Sequence, residues 1–175
     1  LKDEQACSKL INLHSPGVPE LRLYALKAAL SIPGTHALLK WWMARDPLKW
    51  AHANVHYYDE SLESLEEARG YGDVLSGAPS NQAFIKYLSE TMSPGPMKDF
   101  HKVLSIRKDQ SQPFPVPLRL IYAAQDPMVP PRFGKIFHDL IPGSEYIELN
   151  NASHFAHVDN PRAFLDASIG FLTDS

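Results

Sequence analysis

The chain has 175 residues, 44% of them apolar, with 17 basic and 20 acidic side chains and a formal net charge of −3. That length supports one ordinary domain of about 100–200 residues with a real core, and the charge balance lacks the basic footprint that nucleic acid or an anionic membrane selects. No apolar stretch approaches the roughly 18 residues a spanning helix needs, and the single cysteine, Cys7, excludes an internal disulfide or a cysteine-based metal cage.

Residue 1 is Leu, so the first residues carry no information about export; a lone cysteine favours a reducing, cytoplasmic compartment. Fifteen prolines punctuate the chain, and none lies between Pro47 and Pro79. Lys9–Leu13 is a short apolar run stopped by Ser15-Pro16-Gly17, which predicts a buried strand. The next hundred or so residues read as helical pieces: Glu20–Leu30, His36–Met43, Leu48–His56, Ser61–Arg69 with Gly70 as its C-cap, Asn81–Met92 and Met97–Ile106. Leu118–Ala124 is a second apolar run, stopped by Asp126-Pro127. Phe133, Ile136, Phe137 and Leu140 then recur at helical spacing. Glu145–Leu149 is a third strand, and Asn160-Pro161 starts a helix whose apolar face holds Phe164, Leu165, Ile169 and Leu172. The last third therefore reads strand–helix–strand–helix, the pattern of a parallel sheet with crossover helices. A hundred residues are too many for one crossover, so the middle is expected to be a helical insertion lying over the strand ends, where ligands bind in α/β folds.

Two residues carry chemistry. Asp126 follows the second strand and His154 the third, 28 residues later with one helix between. Neighbouring parallel strands end at one sheet edge, so the two side chains should meet. A histidine held in one tautomer by a buried carboxylate is a general base. Each residue alone has an ordinary reading, since Asp-Pro after a strand is commonly a turn and a lone His is commonly structural. Their order, spacing and strand context favour the pair.

The run Leu120–Pro130, with Ser153-His154-Phe155 and Asp159-Asn160-Pro161, resembles the C-terminal half of α/β-hydrolase-fold enzymes. The resemblance covers nearly the whole chain. It implies an α/β fold with 1–16 and 116–175 as the C-terminal part of the hydrolase core, Lys9–Leu13 as its sixth strand, and 17–115 as a helical cap. It implies Asp126 as the acid after the seventh strand and His154 as the catalytic histidine. Ser153 departs from the glycine usual before that histidine, although it too is small. The larger departure is that no Gly-x-Ser-x-Gly turn exists here. Ser15, Ser76, Ser80 and Ser93 are all expected in Pro/Gly-rich loops, without the strand–turn–helix context. The nucleophile, whether Ser, Asp or Cys, is thus expected upstream of residue 1 together with the oxyanion donors. The missing N-terminal half of the core would be the chain's partner.

The family needs no cofactor and no metal. The implied function is hydrolysis of small, fairly apolar esters or related compounds, with Trp41, Trp42, Tyr57, Tyr58 and Phe155 as candidate pocket residues. The alternatives are an epoxide or haloalkane hydrolase with an Asp nucleophile, for which Tyr57 and Tyr58 could activate the epoxide, or a non-catalytic chain completed by a partner. His157 reads as packing. His52 and His56 are at i, i+4 but lack a third metal ligand, and Glu63, Glu66, Glu67 and Arg69 read as a solvated helix face.

Overall fold

A computed structural model describes residues 7–46, 48–49, 57–59, 61 and 65–173. They form two compact units: Leu1–Gly17, His56–Leu62 and Phe100–Ser175 in one, Val18–Val55 and Glu63–Asp99 in the other.

The first unit is built on a three-stranded parallel sheet in the order β1–β2–β3, with β1 Leu10–Leu13, β2 Leu118–Ala123 and β3 Glu145–Leu149. Leu13 pairs with Ile121 and Ala123 with Leu149, so all three strands finish at one edge. In β2 every residue but Arg119 is buried, as expected of a parallel strand covered on both faces. Ile121 and Ala123 pack with Leu149, Ala152, Ala156 and Ala167, and Phe164 joins them from helix α8, Pro161–Thr173. On the same face Arg119 donates to the Ala167 carbonyl and lies over the Phe171 ring. Tyr122 alternates to the opposite face, where helix α6, Arg132–Leu140, is seated. Gly134 permits this approach, because a Cβ there would run into the rings of Tyr122 and Tyr146. Asn160 caps α8 through its side-chain oxygen, which accepts from Ala163 N–H at 3.2 Å. A short helix α7, Ala156–Asp159, precedes it and has no periodic signal in the sequence.

The second unit is helical: α1 Leu21–Leu30, α2 Thr35–Arg45, α3 Leu65–Ser76, α4 Ala78–Lys86, a wider π-type turn Tyr87–Thr91, and the start of α5, Pro94–Asp109. Gly70 is not a C-cap, contrary to expectation: α3 runs through it and stops before Gly77. A glycine costs a helix only about 1 kcal/mol relative to alanine, and α3 carries both Gly70 and Gly72 without ending there. Pro79 instead sits in the first turn of α4, where its missing N–H costs nothing, and Ser76 and Ser80, expected in loops, belong to α3 and α4. The helix expected over Asn81–Met92 is α4 plus the π-type turn, and α5 starts three residues before Met97, again on a proline. Apart from Leu48 and Lys49, the helix expected over Leu48–His56 lies outside the described residues, with Trp50, His52 and His56. Among the described residues no helix is long and apolar enough to cross a membrane.

Candidate active site

The parallel register brings two loops together beyond β2 and β3. Ladder bonding continues past the strands: Ala124 N–H donates to the Leu149 carbonyl at 2.9 Å and Gln125 N–H to the Ala152 carbonyl at 3.1 Å. Gln125 also clamps the second loop, its side-chain oxygen accepting from Ala152 N–H at 3.3 Å and its carbonyl from the Ser153 hydroxyl at 3.3 Å. Asn151 turns the chain with φ 53°, a left-handed conformation that asparagine tolerates. Asp159 of α7 holds the loop from behind, accepting from Ser153 N–H at 2.7 Å and from Tyr58 N–H at 2.9 Å.

Between these loops His154 Nδ1 lies 2.9 Å from Asp126 Oδ2. The Asp126 side chain is fully buried, while 36% of the His154 side chain is exposed. The other carboxylate oxygen accepts from Met128 N–H at 2.7 Å and Val129 N–H at 2.9 Å, the tight turn that an Asp-Pro sequence favours. Burial alone would push the Asp126 carboxyl up. The bonds from His154, Val129 and Met128 outweigh it and hold the group below its ordinary range.

A third side chain shares this acid. His14 closes β1 with φ 50° and is 6% exposed. Its Nδ1 is 3.4 Å from Asp126 Oδ2, and the two imidazole centroids are 5.9 Å apart. Burial is the largest influence on His14 and lowers its pKa to about 4 despite the neighbouring Asp126. Sequence reasoning passed over His14, although it follows a strand just as Asp126 does. Tyr122 secures the same loop, its hydroxyl donating to the Ser15 carbonyl at 3.0 Å.

Phe155 meets the His154 ring edge-on at 5.7 Å and is stacked on buried Tyr57 at 4.8 Å. The Tyr58 hydroxyl donates to the Asn151 side chain at 3.2 Å. Tyr57, Tyr58 and Phe155 therefore share the unit that holds the acid–histidine pair. Trp41 and Trp42 belong to the helical unit, where with Leu26, Leu30, Leu38 and Leu39 they line an apolar groove of about 340 Å³. His157 is exposed, its ring 6.2 Å from Phe155 and 6.3 Å from Phe164. Among the described residues, no three His, Cys, Asp or Glu side chains are grouped to hold a metal ion.

No protein-family model and no curated protein matches the chain. Solved structures do. MGS-M2, an α/β hydrolase from a Medee basin deep-sea metagenome library, superposes with a TM-score of 0.69 at 14% identity, over 96% of this chain and 57% of its own. The 2-hydroxy-6-oxo-6-phenylhexa-2,4-dienoate hydrolase of Rhodococcus sp. strain RHA1 gives 0.65 at 16% identity, over 95% and 56%. A bromoperoxidase of Bacillus anthracis gives 0.61 at 21% identity, over 95% and 58%. The chain spans somewhat more than half the length of these structures, and at such identities the likeness is one of fold. The chain has the α/β-hydrolase fold, of which it spans the C-terminal part.

Proposed function

We propose that the chain supplies the general base and its orienting acid to a hydrolase of small, fairly apolar esters or related carbonyl compounds. The carrying observation is the 2.9 Å contact between partly exposed His154 and fully buried Asp126. With Nδ1–H donating to the carboxylate, the lone pair of His154 sits on Nε2, which takes a proton from a nucleophile or water. Asp126 then stabilises the imidazolium without accepting the proton itself. The nucleophile and oxyanion donors lie outside residues 1–175, in an N-terminal half of the core that completes the site. The helical unit, whose exposed Trp41 and Trp42 flank an apolar groove, serves as the cap. The aromatic pair Tyr57–Phe155 beside the base supports an apolar substrate, and a thermophilic esterase shares the fold. Free Cys7 fits a cytoplasmic setting.

The test is turnover of short-chain chromogenic esters by the complete protein. His154→Ala should abolish nearly all of it, and Asp126→Asn should cost on the order of 10⁴. His157→Ala should leave most of it. Equal losses from the two histidine substitutions would overturn the assignment of the base.

A further inference from the structure

The proposed chemistry leaves one buried polar side chain unused. His14 lies beside Ala123 at the common edge of the sheet, and Ala123 N–H donates to its Nδ1 at 3.4 Å. That bond puts the lone pair on Nδ1 and the ring proton on Nε2. The same Nδ1 is 3.4 Å from the Asp126 oxygen that His154 bonds. Nε2 is buried, with no hydrogen-bond partner among the described residues. An unpartnered buried imidazole costs more than an aliphatic side chain packed in the same place, so its presence calls for a reason.

We propose that His14 is a positioning residue for His154, a neutral imidazole that shields the Asp126 carboxylate from water without giving it a proton, so that Oδ2 bonds the base alone. The inference rests on His154 being the base, and its test needs no turnover. The titratable groups facing the ring are Asp126 and Tyr122 from β2 and its loop, and His154 and His157 from beyond β3. Asp126 favours a proton on His14, while the two histidines and burial oppose it. A cation at position 14 would compete with His154 for the shared oxygen, and a water-filled gap would screen the carboxylate's charge. A neutral ring avoids both.

Imidazole ¹⁵N NMR on the complete protein tests this directly. Wild-type His14 should stay neutral with its proton on Nε2 from about pH 5 to 8. His14→Gly, which suits the left-handed backbone, admits water to Asp126 and should lower the His154 midpoint by about one pH unit. His14→Asn, whose side-chain oxygen can accept from Ala123 N–H, should bring it back to within about 0.3 unit of wild type. The proposal is overturned if His14 carries its proton on Nδ1 or titrates together with His154. It is also overturned if folded His14→Gly leaves the midpoint unmoved, or if asparagine shifts it as far as glycine does. Should the glycine variant not fold, the tautomer and charge of wild-type His14 alone decide between the two outcomes. A protein with no ester turnover but the stated His154 shifts would remove esters as the substrate and leave the positioning of His154 by His14 standing, whereas intact ester turnover with unmoved shifts would remove the positioning alone.

Discussion

Burial holds His14 neutral and hydrogen bonding holds Asp126 ionised, and both make the fold sensitive to acid. His14 stays neutral in the folded chain down to about pH 4, against an ordinary value of 6.5. Because the folded value is depressed, its stabilising contribution is whole above pH 6.5. Below that the unfolded chain binds a proton that the folded chain refuses. Stability therefore falls between pH 6.5 and about 4, by roughly 3 kcal/mol from this residue. Asp126 is held below its ordinary 3.8, so its contribution is present above that value and fades only at lower pH. The two windows are separate. Denaturant unfolding of His14→Asn should lose less stability than wild type between pH 6.5 and 4. Parallel losses would mean that His14 is protonated in the folded chain. Asp126 and His154 are legible in the sequence because each follows soon after an apolar run that ends at a clear breaker, and parallel pairing puts such positions side by side. Nothing in Leu13-His14-Ser15-Pro16 tells that its strand lies on the other flank of β2, so the link from His14 to the acid is a tertiary fact.

The strands and the helices between them follow from short-range physics in the sheet unit, and much less so in the helical unit. The three expected strand runs are short and mostly apolar, with Lys9, Asn12, Arg119, Glu145 and Glu148 as their polar members, and the observed strands match the bounds of those runs to within a residue. In the helical unit the signals conflict. Gly70 lies inside α3, and α5 begins with Pro94-Gly95-Pro96, a stretch that reads as loop until its first turn is seen to need no N–H donors. Two glycines in the sheet unit separate local propensity from packing. Gly134 in α6 faces the rings of Tyr122 and Tyr146, so Gly134→Ala should destabilise by about 1–3 kcal/mol through overpacking. Gly170 in α8 is exposed, with nothing within 4 Å of an added Cβ, so Gly170→Ala should stabilise by about 0.5–1 kcal/mol. Chemical denaturation of the two variants checks both signs. A neutral Gly134→Ala would mean that α6 does not sit as close to the sheet as described.

A three-stranded parallel sheet is narrow, and its edge decides how residues 1–175 behave when expressed alone. Among the described residues β1 is bonded to β2 on one side, and no strand pairs with its other side. Leu10, Ile11 and Leu13 are only half-buried there, which leaves an apolar strand with unpaired N–H and C=O groups, a template for pairing with another chain. Parallel sheets also need both faces covered, and a partly buried first strand shows that coverage is incomplete at this flank. The helical unit adds exposed Leu21, Leu38, Trp41 and Trp42, a density of apolar surface that favours association. Residues 1–175 on their own should therefore self-associate. They should also leave a short-chain chromogenic ester intact, because an acid–histidine pair offers a transition state little beyond weak base assistance without a nucleophile and oxyanion donors. Supplying the N-terminal half of the core, with the strand expected beside β1, the nucleophile and the oxyanion donors, should reverse both properties. Light scattering reads the association state and a stopped assay reads the turnover. A monomeric, cooperatively unfolding 175-residue chain whose ester turnover is lost in His154→Ala would show that the edge is harmless and that the site is already whole.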